Sequence, residues 1–190
     1  MNLLHLDSSA LGAHSVTREI TAAAVERWAA DAAPVRIVRR DLDAAPLPHL
    51  SAATLAGGDA VAESAAVLDE FLAADVVVIG APMYNFGVPS TLKAWLDRIS
   101  VAGKTFRYTA EGPEGLVHGK TVVIAVAAGG AHAGQPTDFV EPYLRQLFGF
   151  LGVRDVHVVR ADGVAMSAEH RREAIERAVA ALPAPLRHAA

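Results

Sequence analysis

None of the 190 residues is a cysteine. That one absence removes disulfides, thiolate nucleophiles, dithiol redox pairs and cysteine-ligated iron-sulfur clusters together. If the protein moves electrons, a borrowed cofactor carries them. Neither sign of charge dominates: 17 basic against 21 acidic residues leave a net charge of -4, so no broad electropositive face is implied and nucleic acid is a poor candidate partner. No apolar run approaches the roughly 18 residues of a bilayer span, and no basic segment leads into a signal-type apolar stretch. The expectation is a cytoplasmic protein without membrane insertion. Half the residues are apolar, enough for one domain spanning residues 1–190 with a substantial core. Several chemical signatures are missing as well. There is no G-x-x-x-x-G-K-[ST], no G-x-G-x-x-G and no G-x-S-x-G, and no His/Asp/Glu spacing suggests a metal site.

What is present is an alternation. Short apolar runs at Leu3 to Leu6, Val35 to Val38, Val76 to Ala81, Val122 to Ala127 and Val156 to Val159 read as five strands. Four are too continuous to be half-exposed, which suits parallel strands covered on both faces. Between them lie helix-length segments: Ser15 to about Ala32, Ala60 to Ala73, Ser90 to Ile99, Phe139 to Leu151 and Ser167 to Leu182. Leu92, Trp95, Leu96 and Ile99 fall on a single helical stripe, with Lys93 and Asp97 free to pair on another side. The implied fold is α/β, a doubly wound five-stranded parallel sheet of flavodoxin-like order 2-1-3-4-5 with helices on both faces. Two connections are long, Asp41 to Gly58 and Ser100 to Gly119, and long loops in compact domains are usually lids, binding loops or interface arms.

In such a sheet a ligand binds beyond the carboxyl ends of the strands, where strand order reverses. Strand 1 runs into Ser8, Ser9, Ser15, Val16 and Thr17, hydroxyls around a helix start whose amides and dipole favour an anion. Simple capping would also account for Ser15 or Thr17. Strand 3 ends in Pro82, Met83, Tyr84, Asn85 and Phe86, flat apolar surface with a side-chain amide, suited to a planar ring with polar edges. A hydrophobic loop packed under a helix is the plainer alternative. Strand 4 ends in Ala127, Ala128, Gly129 and Gly130, followed by His132, where backbone can approach a ligand closely or merely turn. Taken together the three loops describe a ligand with a phosphate at one end and a planar hydrogen-bonding ring at the other, flavin mononucleotide (FMN).

These residues carry a resemblance. With the stretches Thr105 to Lys120 and Pro142 to Gly152 added, the chain resembles the FMN-dependent NADH:quinone oxidoreductases, also called FMN-dependent azoreductases, over nearly its whole length. The resemblance implies FMN bound through Ser9, Ser15, Val16, Thr17, Met83 to Phe86 and the Ala127 to Gly130 loop, and a homodimer with active sites at the interface. Many members carry a serine and an arginine where this chain has Ala127 and Ala128, so only backbone contacts are expected there.

The expected chemistry is ping-pong hydride transfer from NADH or NADPH through FMN to a quinone, with reductive cleavage of azo compounds as a further activity. His132 and Tyr108 are the candidates to orient the acceptor or give it a proton. The segments Phe106 to Tyr108 and Phe148 to Phe150 are expected to build the nicotinamide and quinone slot. His5 and His157 read as core residues. The rival readings are a flavodoxin-like electron carrier, a flavin-sensing interaction protein and, more distantly, a hydrolase using Ser8 or Ser9 with His132 and Asp7.

Overall fold

The computed structural model describes residues 1–31, 34–55 and 61–185. Five parallel strands, β1 (Asn2–Asp7), β2 (Arg36–Asp41), β3 (Val76–Pro82), β6 (Thr121–Ala128) and β7 (Asp155–Asp162), form one sheet in the order β2-β1-β3-β6-β7. This is the expected 2-1-3-4-5 order once two extra strands, β4 (Phe106–Thr109) and β5 (Gly112–Gly115), are counted as a separate antiparallel hairpin. The six helices are α1 (Val16–Asp31), α2 (Ala52–Leu55), α3 (Val61–Ala73), α4 (Ser90–Ile99), α5 (Val140–Leu151) and α6 (Ala168–Ala180). Ala32 and Ala60, expected as helix ends, and Gly58, expected to close a long loop, lie outside the described residues.

Two apolar layers sandwich the sheet. On one face α3, α4 and α5 bury Phe71, Trp95 and Phe148 against Leu4, Leu6, Ile79 and Ile124. On the other, α1 and α6 bury Ile20, Trp28 and Ile175 against Val76, Val78 and Val123. The α4 stripe is fully buried as its spacing requires, and Lys93 pairs with Asp97 on another side. Trp95 meets Phe71 edge to face at 5.8 Å. Truncating Trp95 to Ala is expected to cost about 3–5 kcal/mol. Helix α1 has its own buried stripe, Val16, Ile20, Ala24 and Trp28, which the many alanines around it hide from a periodicity reading.

The sheet edges depart from expectation. Three strands rather than four are buried almost throughout, because β7 is an outer strand whose side chains are mostly half-exposed. His157 therefore sits at the surface with Asp155 at 2.8 Å, whereas His5 is buried beside Asp7. The hairpin was invisible for a different reason. Gly-Pro-Glu-Gly has almost no strand propensity, and the hairpin is held from outside, by Val117 donating to the Leu151 carbonyl at 2.9 Å and by Phe106 against Phe150 at 4.6 Å. A Cβ on Gly115 would lie 2.2 Å from the Gly152 nitrogen, so only glycine allows that approach. Beneath the sheet Lys120 donates to the Leu72 and Ala74 carbonyls over the Phe71 ring, and burial holds its ammonium below the usual lysine range. Among the described residues no helix is long and apolar enough to cross a membrane.

Candidate functional site

The carboxyl ends of β1, β3 and β6 are neighbours in the sheet, so the loops that follow Asp7, Pro82 and Ala128 open at one edge. After β1 the chain makes a single 3-10 turn, Gly12–His14, and enters α1. Ser15 caps that helix, its hydroxyl accepting from the Arg18 amide at 3.3 Å and lying 3.1 Å from the Thr17 hydroxyl. The Val16 and Thr17 amides have no acceptor within the helix, which leaves them for an anion. Among the described residues no unpaired cation is seen to add to this donor set. Arg18 is spent on Asp41, at 2.5 and 2.8 Å, and on the Ser9 carbonyl at 3.0 Å. Ser8 stands apart from the other hydroxyls, since its proton goes to the Gly80 carbonyl at 2.6 Å and ties β1 to β3.

The second loop is a hairpin turn of two residues. Tyr84 and Gly87 exchange both backbone hydrogen bonds at 3.0 Å, and the residues between them, Asn85 and Phe86, have φ of +50° and +68°. Left-handed backbone suits Asn but strains Phe, at roughly 1–3 kcal/mol, and such strain collects at functional sites. Both side chains are exposed. The turn touches the loops on either side. Tyr84 reaches Ser9, hydroxyl to hydroxyl at 3.0 Å, while Phe86 meets the His132 ring edge to face at 5.8 Å. Met83 adds a backbone bond to Ala127 at 2.8 Å.

The third loop is fixed by its carbonyls. Those of Ala128, Gly129 and Gly130 accept from Val164, Ala165 and Gly163, at 3.2, 3.2 and 3.0 Å. Peptide planes are trans, so the Gly129, Gly130 and Ala131 amides in those same planes point the opposite way. A Cβ on Gly130 would lie 3.1 Å from the His132 Nε2 and one on Gly129 3.3 Å from Ala165. The His132 ring is held by Nδ1 to the Thr137 hydroxyl at 2.9 Å. Its backbone is held by a residue the sequence reading passed over: Asp162 accepts the His132 and Ala133 amides at 2.9 and 2.7 Å. Arg160, 3.3 Å away, neutralises that carboxylate and also bridges Asp138 and Glu141, both at 2.9 Å. Asp162 ends strand β7 at the same sheet edge, so the rule applied to three strands, extended to the fifth, was the signal that could have found it.

Asp7 lies behind the first loop and is 1% exposed. Burial pushes its carboxyl up, but bonds from His5 and Arg39 and the charges of His5 and Arg18 outweigh burial and bring it down to about 2. A hydrolytic triad is not assembled: Asp7 faces His5, Arg39 and Thr21, while Ser8 and Ser9 are tied to Gly80 and Tyr84.

The structure thus brings together Ser9, Ser15, Val16, Thr17, Met83 to Phe86, Ala127 to Gly130 and His132. It does not bring Tyr108 to them. That residue, 75% exposed and edge to face with Phe106, belongs to the hairpin at the C-terminal end of α5, whereas His132 precedes its first turn. Helix α5, 12 residues and about 18 Å long, lies between the two in the chain. Phe148 is a core residue and lines no slot. An anion at the α1 start and a flat ring against the strained turn, its edge toward free amides, is what this arrangement can hold.

A family model described as a flavodoxin-like fold matches residues 1–185. The chain is 59% identical to FMN-dependent NADH:quinone oxidoreductase 1 of Xanthomonas axonopodis pv. citri over 184 residues, covering 96% of this chain and 95% of that one. It is 54% identical to the FMN-dependent NADH:quinone oxidoreductase of Stenotrophomonas maltophilia, with 96% and 95% covered. Among solved structures, the azoreductase from Bacillus anthracis str. Sterne superposes with a TM-score of 0.85 at 26% identity, covering 95% of each chain.

Proposed function

The chain belongs to the FMN-dependent NADH:quinone oxidoreductase family, of flavodoxin-like fold, and we propose that it passes a hydride from NADH to quinones with FMN held across its three loops. The residues present fit FMN. Ser9, Ser15 and Thr17 with the free amides of α1 suit its phosphate, and the Met83 to Phe86 turn with the Gly129 and Gly130 amides suits its ring. Bound FMN supplies the hydride acceptance and donation at N5 that no side chain here can provide. The observation that carries this reading is the strained Tyr84 to Gly87 turn, which contacts the loops on both sides and so makes them one site.

The protein's own work is orientation and charge. The amides of Gly129 and Gly130, left over by the carbonyl bonds that fix the loop, would be the donors for a flavin edge that gains negative charge on reduction. A quinone that accepts a hydride also takes up one proton, and His132, with Nδ1 committed to Thr137, has Nε2 left to meet an acceptor oxygen. Azo compounds are a second acceptor class, in which two hydrides and two protons cleave one N=N bond to two amines. What supports it is the likeness to an azoreductase. Donor and acceptor take turns at the same face, a ping-pong order that gives parallel double-reciprocal lines. A homodimer with its sites at the interface is part of this reading. The exposed Tyr108 supports that arrangement, and a monomer by sedimentation equilibrium would exclude it. The cytoplasm, where NADH is available, is the proposed compartment.

The test is direct. Purified protein is expected to be yellow, to release FMN on denaturation and to oxidise NADH with a small quinone and no partner protein. A colourless chain that refuses excess FMN would overturn the reading. FMN bound with no NADH oxidation until a protein partner is added would make the chain an electron carrier instead.

A further inference from the structure

The Tyr84 phenol sits where the ring loop meets the phosphate loop, and its bonds all run toward the latter. It lies 3.0 Å from the Ser9 hydroxyl and accepts from the Ala10 amide at 3.2 Å. The other side of that same peptide is held too, since the Ser9 carbonyl accepts from Arg18 at 3.0 Å while Arg18 is locked on Asp41. One planar peptide is therefore gripped at both poles, and with it the start of the loop that leads into α1. Tyr84 is itself anchored, its amide and carbonyl both bonded to Gly87 across the left-handed turn.

Proton counting gives a second consequence. The phenol oxygen accepts from Ala10, and the Ser9 oxygen accepts from Leu11 at 3.3 Å. Either the phenol donates to Ser9 or Ser9 donates to the phenol. In both cases one hydroxyl proton of the pair remains for a third acceptor, and when the phenol is the donor that proton is on Ser9, which is wholly buried and away from bulk water. A site that leaves a buried hydroxyl donor unspent beside a helix start is prepared for an anionic oxygen.

Resting on the functional reading above, we propose that Tyr84, though it belongs to the ring loop, is a positioning residue for the phosphate end. Through Ser9 and the Ala10 amide it sets the preference for a phosphorylated flavin over an unphosphorylated one. The ring of either flavin makes the same contacts, so only FMN draws on this device.

Flavin-free full-length protein is titrated with FMN and, separately, with riboflavin, following quenching of flavin fluorescence. Tyr84→Phe is expected to weaken FMN about tenfold and to leave riboflavin within about twofold. Ser9→Ala should show the same selective loss, and the double variant should lose no more than about twofold beyond the weaker single, since both act through one cluster. An unchanged FMN affinity in Tyr84→Phe, or an equal loss for both flavins, overturns the proposal. So does tighter FMN binding, which would mean the phenol competes with the phosphate, and so do additive losses in the double variant. Wild-type protein that binds neither flavin defeats the functional reading itself; wild type that binds both, with the variant unchanged, defeats this inference alone.

Discussion

The strained turn has a loop on either side, and the two are held by opposite means. The loop after β1 is held at its front by the neutral Tyr84 phenol and from behind, at the Ser9 carbonyl, by the Arg18 guanidinium, whose charge is paired with Asp41. The loop after β6 is held by an ionised carboxylate, Asp162, with Arg160 and two further acids behind it. The contrast follows from what each end must bind. A phosphate is already charged and needs unspent donors, whereas a ring that becomes electron-rich needs donors fixed in place and no uncompensated negative charge nearby. Asp162 serves the second need because Arg160 cancels its charge and its two amide bonds orient the loop.

If that contrast is right, removing the carboxylate anchor does the greater damage. Asp162→Ala leaves two amides and Arg160 short of their acceptor and is expected to lower unfolding free energy by about 2–4 kcal/mol in urea melts. Asp41→Ala, on the neutral side and more exposed, should cost about half as much. Equal losses would break the comparison. Asp7, behind the β1 loop, sharpens it through pH. Its folded pKa, about 2, is lowered from an ordinary carboxylate value, so its contribution, about 2 kcal/mol, is complete above about pH 4 and lost as pH falls toward 2. Urea midpoints measured across that window should decline, and Asp7→Asn should flatten the decline. His132→Gln is expected to lower quinone turnover about tenfold with FMN affinity within twofold. Unchanged turnover across pH would leave His132 outside the chemistry. The smallest effect belongs to the turn between the loops. Phe86→Gly should raise stability by about 0.5–1 kcal/mol in thermal melts, since glycine adopts without strain the left-handed backbone that Phe86 is forced into.

The parts legible in the sequence were those written in contiguous residues. Continuous apolar runs marked the central strands, the Leu92 to Ile99 stripe marked α4, and three odd loops marked one sheet edge as the candidate site. What escaped depended on partners distant in the chain. The β4 and β5 hairpin exists because Leu151 and Phe150 hold it, not because Gly-Pro-Glu-Gly favours strand. Asp162 acts on amides 29 and 30 positions away. Ser8 and Phe148 had the right residue types, but burial committed one to Gly80 and the other to the core. The φ values of Asn85 and Phe86 could not be read from Tyr-Asn-Phe, although that trio marked the place.

The rims of the sheet carry one more implication. Strand β2 presents Arg36, Arg39 and Arg40 along one rim, and β7 presents Asp155, His157, Arg160 and Asp162 along the other. Lateral stacking with another molecule would force these charged side chains out of water. Fibre-like growth of the sheet through its rims is therefore disfavoured.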